Sequence, residues 1–116
     1  MSSIIVWPKE MEHKPLFIYI AAPYTNGDML GNIRRACFAG DAVLDKGHIP
    51  FVPHLFLLWD LISPKLWEKW LEIDFAILAK CDALLRLDGY SIGADREVAE
   101  AKRLGITVYY NIEEIE

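Results

Sequence analysis

Short, wholly apolar runs alternate along this chain with longer segments in which apolar residues recur every three or four positions. The first run, residues 16–22, is rich in β-forming residues and is apolar throughout, as expected of a strand buried on both faces. After a turn, residues 29–47 keep helical spacing up to a glycine. Because strands that alternate with helices favour a parallel sheet, this pattern constrains the fold more than any other feature.

The same alternation continues to the end of the chain. Further strands are predicted at 48–52, 82–87 and 106–110, and a helix at 94–104 ends at Gly105. Another helix is predicted to begin at Ser63 and Pro64, an N-cap and first-position pair, and to end near residue 80, after a less regular aromatic stretch. We therefore predict a single small doubly wound α/β domain, Rossmann-like or flavodoxin-like. It has a parallel sheet of four to five strands and helices on both faces, and spans residues 1–116 with an N-terminal extension at 1–14.

Composition and charge narrow the function classes. A net charge of -5 over 116 residues provides no basic surface for polymeric nucleic acid. The apolar stretch 51–59 is interrupted by Pro53 and His54 and is too short to span a membrane, and residues 1–13 lack a signal-peptide pattern. Cys37 and Cys81 lack the spacing of a metal or redox motif, so we expect no metal and no cofactor. A soluble, cytoplasmic protein is the expectation.

The segment after the third predicted strand is the strongest candidate for an active site. Gly89 and Gly93 allow a ligand to approach the backbone, and Ser91 offers a hydroxyl at the strand end. Glu97 follows in the first turns of the next helix, where ligands of open α/β sheets bind. The alternative is that Glu97 and Asp95 only complement the helix dipole.

Two further residues, Tyr19 and Asp74, are candidates for a catalytic role. Tyr19 lies within the first strand, where its hydroxyl serves either plain core packing or a hydrogen bond to a site carboxylate. Asp74 stands among apolar residues at helical spacing, which places it on or beside the buried face of its helix. An acid there is costly unless it is paired or functional, so a structural hydrogen-bond role and a catalytic role are both open.

These residues together resemble the nucleoside 2-deoxyribosyltransferase-like superfamily, which includes hydrolases of the N-glycosidic bond of nucleoside 5′-monophosphates. The resemblance covers about residues 16–110, and its most specific motif is a Ser or Asp, a glycine two positions later and a glutamate four positions after that. Ser91, Gly93 and Glu97 fit this motif. The resemblance implies that Glu97 is the nucleophile at the anomeric carbon, that Asp74 helps to protonate or position the base, and that Tyr19 orients the nucleophile.

The chain departs from the superfamily pattern in the first loop. Ala22 stands where a glycine is frequent, and Pro23 and Thr25 replace serine and arginine ligands of phosphate, for which Thr25, Asn26 and Arg34 are candidate substitutes. Ser91 is the choice of the nucleotide hydrolases, whereas the free-nucleoside transferases carry Asp there. The strings 18–27 and 93–97 resemble a small branch found in bacteria, archaea and phages. On this basis the expected substrate contacts are Ser91, Gly93, Ala22, Pro23, Thr25, Asn26, His54 and Gly89.

The resemblance implies cleavage or transfer at the N-glycosidic bond of a nucleoside or nucleotide, without polymeric nucleic acid or membrane as partner. It also implies a homo-oligomer, because this superfamily commonly completes its sites across subunits. Two alternatives remain: a non-catalytic nucleotide-binding module in the same crevice, and an interaction protein whose surface is the aromatic group Trp59, Trp67 and Trp70. That group is otherwise a pocket wall or a subunit interface, and His54 is either a base or sugar contact or a plain surface residue.

Overall fold

The computed structural model describes residues 14–116; the predicted extension lies outside the described residues apart from Lys14. Within this range one sheet contains four parallel strands in the order β2-β1-β3-β4. The strands are β1 (Phe17–Ala21), β2 (Ile49–Phe51), β3 (Ala83–Arg86) and β4 (Thr107–Tyr109). Each lies within two residues of its predicted position, which confirms the parallel α/β architecture.

Helices connect all four strands. They are α1 (Met29–Asp45), α2 (Leu57–Ile62), α3 (Trp67–Leu78) and α4 (Ile92–Arg103), with 3-10 turns at Pro53–Phe56 and Ile112–Glu114. No helix within residues 14–116 combines the length and the apolar character that crossing a membrane requires. The strand order is that of a flavodoxin-like doubly wound sheet.

Both faces of the sheet are covered, as the sequence predicts. Because successive side chains of a strand point to opposite faces, β1 contributes to two separate cores. Ile18 and Ile20 pack with α1 on one face, whereas Tyr19 and Ala21 pack with α3 and α4 on the other. All four of these strand residues are completely buried.

Two predicted helix boundaries are wrong. Ser63 does not start a helix: its amide bonds to the carbonyl of Trp59 and ends α2, and α3 begins four residues later. The turn between the two helices contains Pro64, which has no amide hydrogen to continue α2. Asp60 Oδ1 accepts the Lys65 amide at 3.0 Å and holds this turn. Helix α4 begins at Ile92 rather than at residue 94, since the Ser91 hydroxyl oxygen accepts the Ala94 amide at 3.0 Å as an N-cap.

The topology determines where a site can form. From β1 the chain crosses to β2 on one side, and it later returns to β3 on the other side of β1. The loops that leave β1 and β3 therefore diverge at the carboxyl ends of these adjacent strands. A crevice opens at such a switch point, and the predicted site residues follow those same strand ends.

Candidate active site

A cavity of about 260 Å³ occupies this crevice. The residues that line it come from the segments after β1, β2 and β3 and from the helices α2, α3 and α4. Six of the predicted site residues line it: Ala22, His54, Asp74, Ser91, Gly93 and Glu97. The fold thus brings into one space residues that are up to 75 positions apart in the chain.

Glu97 lies on the inward face of α4 and is only 7% exposed. Its Oε2 accepts a short hydrogen bond from the Tyr19 hydroxyl, which joins α4 to the central strand β1. Tyr19 is itself fully buried, and its ring packs on Phe51 with centroids 5.5 Å apart. Tyr19 is therefore both a core residue and the partner of a site carboxylate. Asp95, not Glu97, is the exposed acid of the first helical turn.

Asp74 enters the cavity from the opposite helix, α3. Its Oδ1 is buried and has no hydrogen-bond partner among residues 14–116. Burial raises the pKa of Asp74 to about 7, because the charged form loses hydration. The two cavity carboxyls therefore differ: Glu97 accepts a hydrogen bond from Tyr19, whereas one oxygen of Asp74 has no partner within residues 14–116.

Burial is also the main reason that the pKa of Glu97 rises to about 8. The carboxylate of Asp74 raises this pKa further, whereas the Tyr19 hydrogen bond and the positive charge of Arg86 lower it. Carboxyls that interact in one cavity lose their protons in steps that belong to the pair. Near neutral pH the pair can hold a single proton, which is the condition for one group to act as nucleophile and the other as acid.

The β3–α4 loop presents two of its predicted residues to the cavity and uses a third for packing. Ser91 accepts the Ala94 amide through its oxygen, so its hydroxyl hydrogen remains available to a ligand. A Cβ on Gly93 would meet nothing closer than Ser91 Oγ at 4.0 Å, so glycine keeps this edge of the cavity open. Gly89 has φ +115° and would place a Cβ 2.8 Å from Pro23 Cγ, which makes it a packing glycine outside the lining.

The first loop contributes less to the cavity than the resemblance implies. Pro23 is buried against Gly89, Thr25 is exposed, and the Asn26 amide donates to the carbonyl of Tyr90 at 3.2 Å. Neither these three residues nor Gly89 lies in the cavity wall, and their roles as substrate contacts stay predictions. Arg34 is likewise exposed and stacks over a neighbouring ring of its own helix, that of Phe38, at 5.4 Å.

His54 is a cavity residue, so the surface alternative is wrong. It is 5% exposed, and its Nε2 lies 3.0 Å from the carbonyl of Pro23. The ring meets Tyr24 edge-on with centroids 5.4 Å apart. Burial lowers the pKa of His54, which favours the neutral imidazole and, with Nε2 donating to that carbonyl, leaves Nδ1 as an acceptor.

An aromatic wall faces the carboxylates. Trp67 and Trp70 line the cavity, and Phe56 stacks on Trp70 with centroids 5.2 Å apart at 27°. The Trp70 indole donates to Asp60 Oδ1 at 2.6 Å, and the Lys65 ammonium lies 5.5 Å from its ring. Asp60 and Lys65 are cavity residues that sequence reasoning missed, because nothing in their local pattern separates them from solvated charges.

Chemically, the cavity joins a buried carboxylate, a second carboxyl and a flat apolar wall. Residues 14–116 contain no group of three or more His, Cys, Asp or Glu that could hold a metal ion. The described groups supply a nucleophile or base, a proton donor and a surface on which a planar ring can stack. This fold and site define an α/β protein with a candidate active site at the switch point of its sheet.

Comparison with known proteins identifies the family. Residues 16–111 match a family described as a domain of unknown function (DUF7768), and the chain belongs to that family. A comparison with curated proteins gives no match. Among solved structures, a 2-deoxyribosyltransferase from the psychrotolerant bacterium Bacillus psychrosaccharolyticus is similar, with 20% identity and a TM-score of 0.57. The similarity covers 79% of this chain and 69% of the other, and it shows a shared fold.

Proposed function

We propose that this protein cleaves or transfers at the N-glycosidic bond of a nucleoside, a deoxynucleoside or a nucleoside 5′-monophosphate, with Glu97 as nucleophile. The observation that carries the proposal is the buried Glu97 carboxylate, which accepts a hydrogen bond from the Tyr19 hydroxyl and lines the same cavity as Asp74. The similar fold of a 2-deoxyribosyltransferase supports the same substrate class. Transfer and hydrolysis use the same protein groups and differ only in the acceptor.

The reaction starts when a Glu97 oxygen attacks the anomeric carbon of the sugar. The carbon–nitrogen bond breaks with its electron pair moving to the base, and the proton of Asp74 moves to the departing base. A covalent glycosyl ester on Glu97 remains. Water or a second base then attacks the same carbon, releases Glu97 and gives a proton back to Asp74.

The proton arrangement that this mechanism needs is Glu97 ionised and Asp74 protonated. The Tyr19 hydroxyl and the Arg86 charge both favour a negative charge on Glu97. Asp74 has no corresponding donor at its buried oxygen among residues 14–116, which favours a proton there. The pKa of Glu97, about 8, nevertheless lies above that of Asp74, about 7, so the shared proton is held mainly by Glu97, and the arrangement needed for attack is the less populated of the two. We expect activity to be greatest between about pH 7 and pH 8, where the pair holds one proton.

The remaining cavity groups fit a nucleoside. Stacking of a base on Trp67 or Trp70 would use the flat wall, and the neutral His54 offers an acceptor to a sugar hydroxyl. Ser91 and the opening at Gly93 lie at the start of α4, where a 5′-phosphate would meet helix amides. These three contacts are part of the proposal.

Chromatography of free base is the test of this function. The protein is incubated with deoxy- and ribonucleosides and with their 5′-monophosphates, each with and without an acceptor base. Base release that stops when Glu97 is replaced supports the proposal and names the substrate class. Binding of a nucleotide in titration calorimetry, with no base released on long incubation, would instead favour the non-catalytic binding module.

Replacement of Asp74 by Asn is expected to reduce base release about 100-fold for natural nucleosides, because the base loses its proton donor. It should also move the acidic limb of the pH profile to lower pH, since the negative charge that raises the pKa of Glu97 is gone. A sugar with a nitrophenolate leaving group needs no proton and should react at nearly the wild-type rate. Glu72→Gln, an exposed change on the same helix, is the control; equal loss on both substrates would contradict the acid role.

A second copy of the chain is also part of the proposal. Helix α2 and its flanks carry a group of large apolar side chains that are between 47% and 78% exposed: Leu55, Leu58, Trp59, Leu61, Ile62, Leu66 and Trp67. This surface adjoins the cavity, because Trp67 belongs to both. Light scattering should therefore give at least a dimer, and Ile62→Glu should give a monomer with reduced base release. A strict monomer at high protein concentration would count against a shared site.

A further inference from the structure

Side chains from outside the β3–α4 loop hold its backbone in place. Each of four successive carbonyls, at residues 87, 88, 89 and 90, accepts a hydrogen bond from a side chain outside the loop. Asn26 and Arg35 take two of these carbonyls from the α1 side. Arg86, the last residue of β3, takes the other two, those of Leu87 and Gly89.

Arg86 makes a third contact, to the helix that carries the nucleophile. Its Nη2 lies 2.9 Å from Asp95 Oδ1 in the first turn of α4 and 3.0 Å from the Gly89 carbonyl. The Arg86 side chain is 11% exposed, whereas that of Asp95 is 67% exposed. One planar guanidinium therefore connects the strand end, the glycine turn and the helix start, a geometry that a lysine ammonium cannot reproduce.

We propose that Arg86 is a positioning residue, which fixes the 87–91 loop and the start of α4 beside the cavity and so sets the place and the charge of Glu97. The inference rests on the function proposed above. Arg86 lies outside the cavity lining, so it acts through Glu97, Ser91 and Gly93 rather than on the substrate.

The proposed role has two halves: Arg86 fixes the loop, and its positive charge acts on Glu97. The groups around Glu97 make the second, electrostatic half specific. Tyr19 on β1 donates to Glu97, Asp74 on α3 opposes its ionisation, and Arg86 on β3 favours its ionisation. The other charged or polar side chains that line the cavity are Tyr24, His54, Asp60, Lys65, Ser91 and the indoles of Trp67 and Trp70. Removing the Arg86 charge should thus raise the pKa of Glu97, whereas removing a loop contact alone should not.

Three variants separate the two halves of the role. In Arg86→Gln we expect the acidic limb of kcat/KM to move up by about half a pH unit or more, and KM to rise about tenfold because the loop is loosened. Arg86→Lys keeps the positive charge but not the forked geometry of the guanidinium, so KM should rise while the acidic limb of the kcat/KM pH profile stays in place. Asp95→Asn keeps the positive charge of Arg86, both of its bonds to loop carbonyls and a side-chain oxygen that can accept from its Nη2, so this variant should behave like the wild type.

A readout independent of turnover keeps this inference separate from the proposed function. The carboxyl 13C shift of Glu97, assigned by its loss in Glu97→Gln, gives its pKa in the free protein, and amide signals of 88–91 report the loop. If Glu97 titrates in Arg86→Gln at its wild-type pKa, the claim that Arg86 sets the charge of Glu97 is overturned. If Arg86→Lys keeps the wild-type loop signals and the wild-type KM, the claim that Arg86 fixes the loop is overturned. If no nucleoside is cleaved, the proposed function fails, but these spectra still decide whether Arg86 positions Glu97.

Discussion

Base release should fall at least 1000-fold when Glu97 is replaced by glutamine. Glutamine keeps the size of the side chain and an oxygen that can accept the Tyr19 hydroxyl, but it cannot form the glycosyl ester. The fold should persist, because the substitution removes a charge from a site that is only 7% exposed. The measurement is initial-rate chromatography with the best substrate of the panel, at pH 8, where about half of the wild-type Glu97 carboxyl is ionised.

Glu100→Gln is the matched control for this loss. Glu100 lies on the same helix one turn later, pairs with Arg103 at 2.7 Å and does not line the cavity. It should retain nearly full activity. A sugar with fluorine at C2, which slows both chemical steps, should leave a mass increase on the peptide that contains Glu97. A label on Asp74, or a Glu97→Gln variant with more than a tenth of wild-type activity, would overturn the nucleophile assignment.

The same substitution should make the protein more stable at pH 7 and above. Burial keeps the proton on Glu97 up to about pH 8, whereas in the unfolded chain it leaves near 4.5. The native state therefore binds more protons than the unfolded state between these values, and wild-type stability falls as pH rises through this window. Glutamine removes the effect, by up to roughly 3 kcal/mol at pH 7, or about 10 °C in Tm.

Thermal unfolding of both proteins from pH 4 to pH 9 tests this expectation. The difference in Tm should be close to zero at pH 4, where both states hold the proton, and should reach a plateau above pH 8. Glu100→Gln again serves as control, since Glu100 is paired on the surface and its pKa is lowered rather than raised. A difference in Tm that is the same at every pH would mean that Glu97 carries no ionisation cost in the folded protein.

The sequence predicted the strands and the region of the site because both depend on local patterns. Leu84 and its neighbours in β3 are an apolar run followed by glycines, and this pattern is readable without knowledge of the rest of the fold. The α2–α3 boundary was not readable, since the turn depends on Asp60 reaching the Lys65 amide and the Trp70 indole. Those contacts exist only once the helices are packed.

The candidate site divides in the same way. The motif of Ser91, Gly93 and Glu97 marked the site through a resemblance, and the structure brings these residues to one cavity. The contacts of Arg86 could not be predicted, because two of its three partners are backbone carbonyls, which a sequence pattern does not distinguish. The contribution of the first loop to the site was overestimated for the opposite reason. Thr25 has the side-chain chemistry of a substrate contact, but the fold leaves it exposed and outside the cavity lining.

The hydrogen bond between Tyr19 and Glu97 joins residues that are 78 positions apart. No fragment that folds from local contacts alone can contain it, because the contact requires β1 paired with β3 and α4 packed on this sheet. Contacts between such distant positions form slowly, since a long stretch of chain has to be closed before they stabilise anything. The pair of Tyr19 and Glu97 therefore forms only when β1, β3 and α4 have come together, and a chain that has not reached this arrangement would lack the contact on which the proposed reaction depends.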